Sequence, residues 1–143
     1  MQVKDIMSQK VVPIDKAESV EVAARVLAGH NLGALPVCDK DGTLCGMVTD
    51  RDLVIRCMAA NRNPAQTKVS DVMSRRVISV RPDMEASVAA HLMGREQVRR
   101  LPVTENGRLC GMLGLSDLAG REENIMDAAD ALADITLNIL PPI

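Results

Sequence analysis

No Phe, Tyr or Trp occurs anywhere in this chain of 143 residues. A core without rings must be built from Val, Leu, Ile, Ala and Met, and nine methionines supply adaptable bulk. The same absence disfavours single-stranded nucleic-acid binding, in which bases stack on aromatic platforms within a basic groove. A formal net charge of −2 points the same way, so no nucleic-acid partner is expected. Long hydrophobic runs are also missing: no window approaches the ~20 apolar residues of a membrane span. The opening MQVKDIMSQK mixes charges with isolated apolar residues, unlike a signal peptide. No membrane partner and a cytoplasmic location are the expectation.

Cysteine and histidine are scarce. Cys38, Cys45, Cys57 and Cys110 include no C-x-x-C pair, so there is no zinc signature. In a reducing cytosol such thiols default to small buried hydrophobes. Cys38 and Cys45 flank a predicted hairpin turn, which keeps a redox role open. His30 and His91 have no Ser, Cys or carboxylate arrangement that reads as a catalytic set. His30 falls where a helix should end, a position suited to dipole or C-cap duty. With no nucleophile elbow and no phosphate loop of the P-loop type, the expectation is no catalytic residue, no metal and no required cofactor.

What is present is a repeat. VKDIMS begins at Val3 and VSDVMS at Val69, a shift of 66 residues that LPV at Leu35 and Leu101 repeats. After a one-residue difference in a turn, LCGM begins at Leu44 and Leu109, and Asp52-Leu53 matches Asp117-Leu118. The chain thus divides into a first repeat at 1–60, a polar linker at 61–68 containing Pro64, a second repeat at 69–121 and a tail at 122–143. At 143 residues the chain falls in the one-domain range, so the halves should fold around a shared core.

Each repeat reads as a short helical turn (Lys4–Met7; Ser70–Met73), then a small strand (VVPI at 11–14; VISV at 77–80). A helix follows, Val20–His30 or Ala86–Glu96, with apolar residues at spacings of three and four. ALPVC or LPVT then leads through Asp41-Gly42 or Asn106-Gly107 into LCGMV or LCGML, a strong hairpin signal. A last helix starts near Asp50 or Ser116. The order is β-α-β-β-α, doubled, an α+β fold. In the tail, Ile125, Met126, Ala129, Leu132, Ala133, Ile135, Leu137 and Ile139 predict an apolar helix ending at Pro141-Pro142, packed on its own subunit or on a partner's.

A β-α-β-β-α unit with D-h-M-S (h apolar) at its start, h-P-V at its middle and G-h-h-T-x-x-D at its end resembles a CBS domain. The tandem pair resembles a Bateman module up to about Arg121. NLGALPVCDKDGTLCGMVTDRD and QVRRLPV are similar to the small stand-alone bacterial proteins of the hypoxic-response type. The resemblance implies two pseudo-symmetric repeats packed through their sheets, with two clefts that often bind adenosine-containing compounds. It gives the first cleft Asp52 on ribose, Thr49 and Arg51 near ribose and phosphate, and Met47, Val77 and Val98 around adenine. Arg99 and Arg100 stand before h-P-V, where relatives often place a basic residue that meets phosphate. Gly33 and Ala34 at the matching positions supply no charge. The second cleft takes Asp117 on ribose, Ser116 beside it, and Met112, Val11, Leu32 and Ala34 around the base. Gly114 replaces the hydroxyl there.

A carboxylate can accept from both hydroxyls of a cis-diol, a charge-assisted contact no neutral side chain equals. Thr49-x-x-Asp52 is equally what a helix needs for itself, a capping box. A helix N-terminus with free N–H groups also favours a phosphate, so both readings can hold. Arg99 and Arg100 read equally as a solvated charge run. The leading expectation is a non-enzymatic sensor of an adenosyl ligand such as AMP, ADP or ATP. It would act as a homodimer and signal to an unidentified target protein, with the cleft at Thr49-Arg51-Asp52 the stronger. The alternative is a structural or interaction module with no physiological nucleotide.

Overall fold

The computed structural model describes residues 1–139. Its α+β chain resolves into two compact units. One gathers Val12–Val77 with Gly107–Leu109; the other gathers Met1–Val11, Ile78–Asn106 and the chain from Cys110. The sequence repeats are therefore not the compact units, because each repeat's opening helical turn packs in the unit built from the other repeat.

In the first-repeat unit, α2 (Val20–His30) starts at Ser19, whose Oγ accepts the Val22 N–H at 3.1 Å. It ends at Asn31, in the left-handed conformation at φ 52°. His30 is thus the last helical residue, in the turn where a cation suits the dipole, and the C-cap itself falls to Asn31. Strand β2 (Ala34–Cys38) pairs antiparallel with β3 (Leu44–Thr49), with a register shift at Val37-Cys38. The predicted strand at 11–14 shrinks to β1 (Ile14–Asp15), which runs parallel to β2. Pro13 lacks the N–H that would extend the ladder. The core is Ile14, Val20, Ala23, Leu27, Leu35, Val37, Val48, Cys57, Val69, Val72 and Met73.

The helix expected from Asp50 begins as α3 (Asp50–Asp52) and then widens into a π-helical turn, Leu53–Met58. The Ala59 N–H reaches back to the Val54 carbonyl at 2.8 Å, the five-residue step of a π-turn. Arg56 fastens this turn to α4 (Val69–Val72), donating from Nη1 to the Val72 and Met73 carbonyls, each at 3.2 Å.

In the other unit, α1 (Val3–Ile6) precedes α5 (Ala86–Glu96), β4 (Arg100–Glu105) and β5 (Arg108–Gly114). Asn106 and Gly107 both take positive φ, as a two-residue hairpin turn requires. The strand expected at 77–80 is reduced to a single parallel bridge, Val80 to Val103. Arg81-Pro82 follows at once and cuts the ladder short. Helix α6 (Leu115–Ala119) stops at Gly120. A 3₁₀ turn at Glu122–Asn124 then leads into α7 (Ile125–Ile139). The core holds Val3, Ile6, Val80, Ala86, Ala89, Ala90, Met93, Leu101, Val103, Leu113, Leu118, Ala128 and Ala131.

The tail helix packs on its own unit, through Ala128, Ala131 and Ile135, which are buried, while Ile125, Met126, Leu132 and Leu137 stay exposed. Of the two alternatives for the tail, packing on its own subunit is the one this contact realises, with Ile135, among the described residues, the one bulky predicted residue that is buried. At Gly94 a Cβ would come within 3.3 Å of the Ala131 backbone, so α5 and α7 approach too closely for larger side chains. The predicted stop at Pro141-Pro142 lies outside the described residues.

Candidate ligand-binding site

Both G-h-h-x-x-x-D stretches sit where a strand hands over to a helix. Strand β3 ends at Thr49, the N-cap of α3. Thr49 Oγ1 accepts the Asp52 N–H at 3.1 Å, and Asp52 Oδ2 accepts the Thr49 N–H at 2.9 Å. The capping box is therefore closed. Asp52 Oδ1 is the remaining oxygen, 3.8 Å from Arg56 Nε. Strand β5 ends at Gly114, whose N–H donates to Asp117 Oδ2 at 2.7 Å. With no side chain at Gly114 this is half a box. Among the described residues no cation stands within ion-pair distance of Asp117, so its other oxygen is less committed than that of Asp52.

The glycines that open the two stretches have a steric job. A Cβ on Gly46 would lie 2.6 Å from the Ser74 carbonyl oxygen and 2.8 Å from Met73 Sδ. On Gly111 it would lie 2.7 Å from Met7 Sδ and 3.1 Å from the Ser8 carbonyl oxygen. These contacts come from two matching bridges, Met47 to Ser74 and Ser8 to Met112, each with a reciprocal backbone hydrogen-bond pair of 2.8–3.0 Å. The Met-Ser of each D-h-M-S motif thus lies against the Gly-Met of a G-h-h stretch, within one unit. The sequence repeats both motifs but does not show that they meet.

Of the predicted first-site residues, Met47, Thr49, Arg51, Asp52 and Val77 belong to the first-repeat unit; Val98, Arg99 and Arg100 belong to the other. Of the second-site residues, Val11, Met112, Gly114, Ser116 and Asp117 share one unit, whereas Leu32 and Ala34 belong to the first-repeat unit. Ala34 pairs with Thr49 across β2 and β3, and the Asp50 N–H donates to the Gly33 carbonyl at 3.0 Å. The equivalent bond links the Leu115 N–H to the Arg99 carbonyl at 2.9 Å. So h-P-V entry and helix start lie side by side in each unit. Met47, Thr49, Asp52, Val77, Val98, Met112, Gly114 and Asp117 are half-buried, while Arg51, Arg99, Arg100 and Ser116 are exposed. Val11 and Val77, expected in strands, lie instead in half-buried irregular segments.

Two of the four thiols, Cys38 and Cys110, are held in the protonated form. Burial pushes the Cys38 thiol up to about 11, with Cys45, Asp39 and Asp15 adding to the shift. Cys110 is raised too, again mainly by burial. A thiol held protonated is a poor nucleophile and metal ligand. Among the described residues, no three of His, Cys, Asp and Glu gather to hold a metal ion, and no helix is long and apolar enough to cross a membrane.

The CBS domain model matches residues 3–58 and 69–124. The chain belongs to the CBS domain family. It is similar to the CBS domain-containing protein YhcV of Bacillus subtilis, 39% identical over 134 residues, 94% of each chain. Hypoxic response protein 1 of Mycobacterium tuberculosis is 34% identical over 116 residues, 81% of each. The crystal structure of Hypoxic Response Protein I, determined with two coordinated zinc ions, superposes with a TM-score of 0.77 at 32% identity, covering 84% of this chain and 98% of that one. The CBS domain pair of protein MJ0100, in complex with 5′-methylthioadenosine and S-adenosyl-L-methionine, gives 0.73 at 27% identity, covering 84% and 94%. CBS pairs are regulatory modules, and some relatives bind adenosyl compounds.

Proposed function

We propose that this CBS pair is a non-enzymatic sensor of an adenosine-containing metabolite. The observation that carries the reading is the duplicated strand-to-helix junction. At Asp52 and again at Asp117 one carboxylate oxygen closes the cap, and the other, which at Asp52 stands 3.8 Å from Arg56 Nε, is the one that would accept from a ribose diol. A relative whose CBS pair holds two adenosyl compounds supports the ligand class.

Thr49 supplies a hydroxyl and Arg51 an exposed cation at the first junction, while Met47 and Val77 offer half-buried apolar surface for a base. Arg99 and Arg100 are exposed cations suited to phosphate. The second junction, with Gly114, Ser116 and Asp117, has no hydroxyl at the cap position, so it is weaker or differently selective. A ligand shifts a conformational or oligomeric equilibrium only through its differential affinity for the two states, so the signal passes through a surface that differs between them, toward a target protein.

Calorimetric titration with AMP, ADP, ATP, S-adenosylmethionine and NADH tests this. Binding is expected for at least one, weakened ten-fold or more in Asp52→Asn, which keeps an oxygen for the Thr49 cap. Absence of binding at millimolar ligand, or unchanged binding in that variant, overturns the reading.

A second reading, an interaction module with vacant sites, is favoured by the Asp52 carboxylate, which already serves the cap and faces Arg56. Heat-releasing the purified protein and analysing the supernatant by mass spectrometry separates the two. Stoichiometric nucleotide counts against vacancy.

A further inference from the structure

Strand β3 has two ends, and only one of them carries a capping box. At the other, four residues before Thr49 and about 13 Å away along the strand, half-buried Cys45 borders a cavity of about 510 Å³. Lys16, Lys68 and Arg75 line it together with Ala17, Ser70 and Met73, all within the first-repeat unit. The three cations come from separate stretches of chain that backbone contacts hold together. The Ser70 N–H donates to the Lys16 carbonyl at 3.0 Å, Ser19 bridges to Lys68, and the bridge from Met47 to Ser74 sets Arg75 beside β3.

The charge in this cavity is one-sided. Among the described residues no carboxylate lines it, and none of its three cations has an ion-pair partner. Asp15 and Asp71 lie close in sequence but face other groups: Asp15 Oδ1 accepts the Ala17 N–H at 2.8 Å, and Asp71 Oδ2 stands 3.6 Å from Arg62 Nη2. A solvated charge run accounts for exposed lysines one at a time, not for three cations from distant segments around one cavity. The duplication supplies a control. In the other unit, Pro82 and Lys4, which match Lys16 and Ser70, line a cavity of about 400 Å³. There the charges are balanced, since Arg81 Nε donates to Asp83 Oδ1 at 3.1 Å and Glu105 is also in the lining. Pro82, Gln2 and Gln9 stand where the first-repeat unit has Lys16, Lys68 and Arg75, so the framework itself needs none of the three charges.

We propose that this cavity binds a small phosphorylated metabolite, with Lys16, Lys68 and Arg75 on its phosphate groups and Ser70 Oγ as a neutral donor. Three cations without an internal counter-charge concentrate positive potential in a concave site. A phosphate group carries close to two negative charges and accepts charge-assisted hydrogen bonds, and a guanidinium matches it with two parallel donors. A carboxylate brings only one charge. The volume suits a molecule of metabolite size, and Met73 and Ala17 offer apolar surface for its carbon skeleton. The site is separate from the Asp52 junction and does not rest on the adenosyl reading.

Calorimetric titration of the full chain with inorganic pyrophosphate at low salt tests it. One site per chain is expected, with an affinity that falls as salt rises. The double substitution Lys68→Gln with Arg75→Gln should weaken binding ten-fold or more. Arg99→Gln with Arg100→Gln removes the same charge from the h-P-V entry and should leave the affinity within about two-fold, as should Asp52→Asn, so failure of the adenosyl reading and failure of this one are told apart. Citrate, whose charges sit singly on separate carboxylates, should bind at least ten-fold more weakly than pyrophosphate. Dye-based melting checks that each variant is folded; should the Lys68 and Arg75 pair fail, Lys16→Gln probes the cavity from another segment. No binding at millimolar pyrophosphate overturns the proposal. So does equal weakening in the two double variants, which would mean diffuse attraction to surface charge, or citrate binding as tightly as pyrophosphate.

Discussion

The two units are built from copies of one sequence pattern, yet one has its helical face covered by α7 and the other, among the described residues, leaves that face open. Duplication supplied two helical faces and one tail. What differs is therefore not the framework but what was added to it, and the cost of breaking the tail should be confined to one side. Ile135 is 2% exposed at the α7 contact. Truncation in Ile135→Ala is expected to destabilise the protein by about 3 kcal/mol. Val54→Ala on the open face, in the Leu53–Met58 turn, should change the stability of the monomer by less than about 0.5 kcal/mol. Urea unfolding at low protein concentration measures both. Equal losses would mean that the two faces are equally packed.

The motif glycines sharpen the comparison at the next level. Around Gly46 the obstructing atom nearest a new Cβ is a backbone carbonyl oxygen at 2.6 Å. Around Gly111 it is the end of the flexible Met7 side chain at 2.7 Å, with backbone at 3.1 Å. Backbone must shift in the first case, whereas a side chain can swing aside in the second. Gly46→Ala should therefore cost about 2–3 kcal/mol and Gly111→Ala about 1 kcal/mol. Thermal melting of the pair gives the order, and a reversed order would refute the account.

Helices Val20–His30 and Ala86–Glu96 were legible from apolar residues at spacings of three and four; Ser19 caps the first, and both end at a left-handed residue, Asn31 and Gln97. The hairpins were legible from Asp-Gly and Asn-Gly. Lost in the sequence were the short strands at 11–14 and 77–80, where prolines at 13 and 82 remove donors and pairing fades to two residues or one bridge. The π-turn at Leu53–Met58 was equally hidden, since its apolar content fits an α-helix as well. The tail helix was legible from its apolar content, but which of its residues would be buried was not, because the close approach at Gly94 that favours alanines on α7 leaves no mark in the tail itself. The capping boxes were readable at Thr49 and Asp52. That Gly46 answers Met73-Ser74 was not, because pairing across sequence distance leaves no trace in a single chain.

The caps make a smaller test. Thr49→Ala removes the acceptor for the Asp52 N–H and is expected to cost about 1 kcal/mol. The second junction lacks that acceptor already. Gly114 has φ −106°, and a Cβ there meets Asp117 Oδ2 and Ser116 Oγ at 3.4 Å, ordinary contact. Gly114→Ser is therefore tolerated and should stabilise the protein by a few tenths of a kcal/mol, about the difference between serine and glycine at a cap. If the missing hydroxyl is what sets the two junctions apart as ligand sites, the same variant gains ligand affinity while a Gly114→Ala control does not.

The smallest expected effect is one of reactivity and pH. Cys38 is 5% exposed, and its thiol is raised from an ordinary 9.0 to about 11. A raised thiol pKa means that the folded state prefers the protonated form. That contribution to stability is complete below pH 9 and disappears as pH climbs through about 11. Two consequences can be measured. Melting temperature should hold up to pH 9 and fall above it, less steeply in Cys38→Ala. Alkylation of Cys38 by iodoacetamide, followed by peptide mass spectrometry, should be slow at pH 8 compared with free cysteine. Rapid labelling at that pH would restore the redox role that the burial of Cys38 argues against.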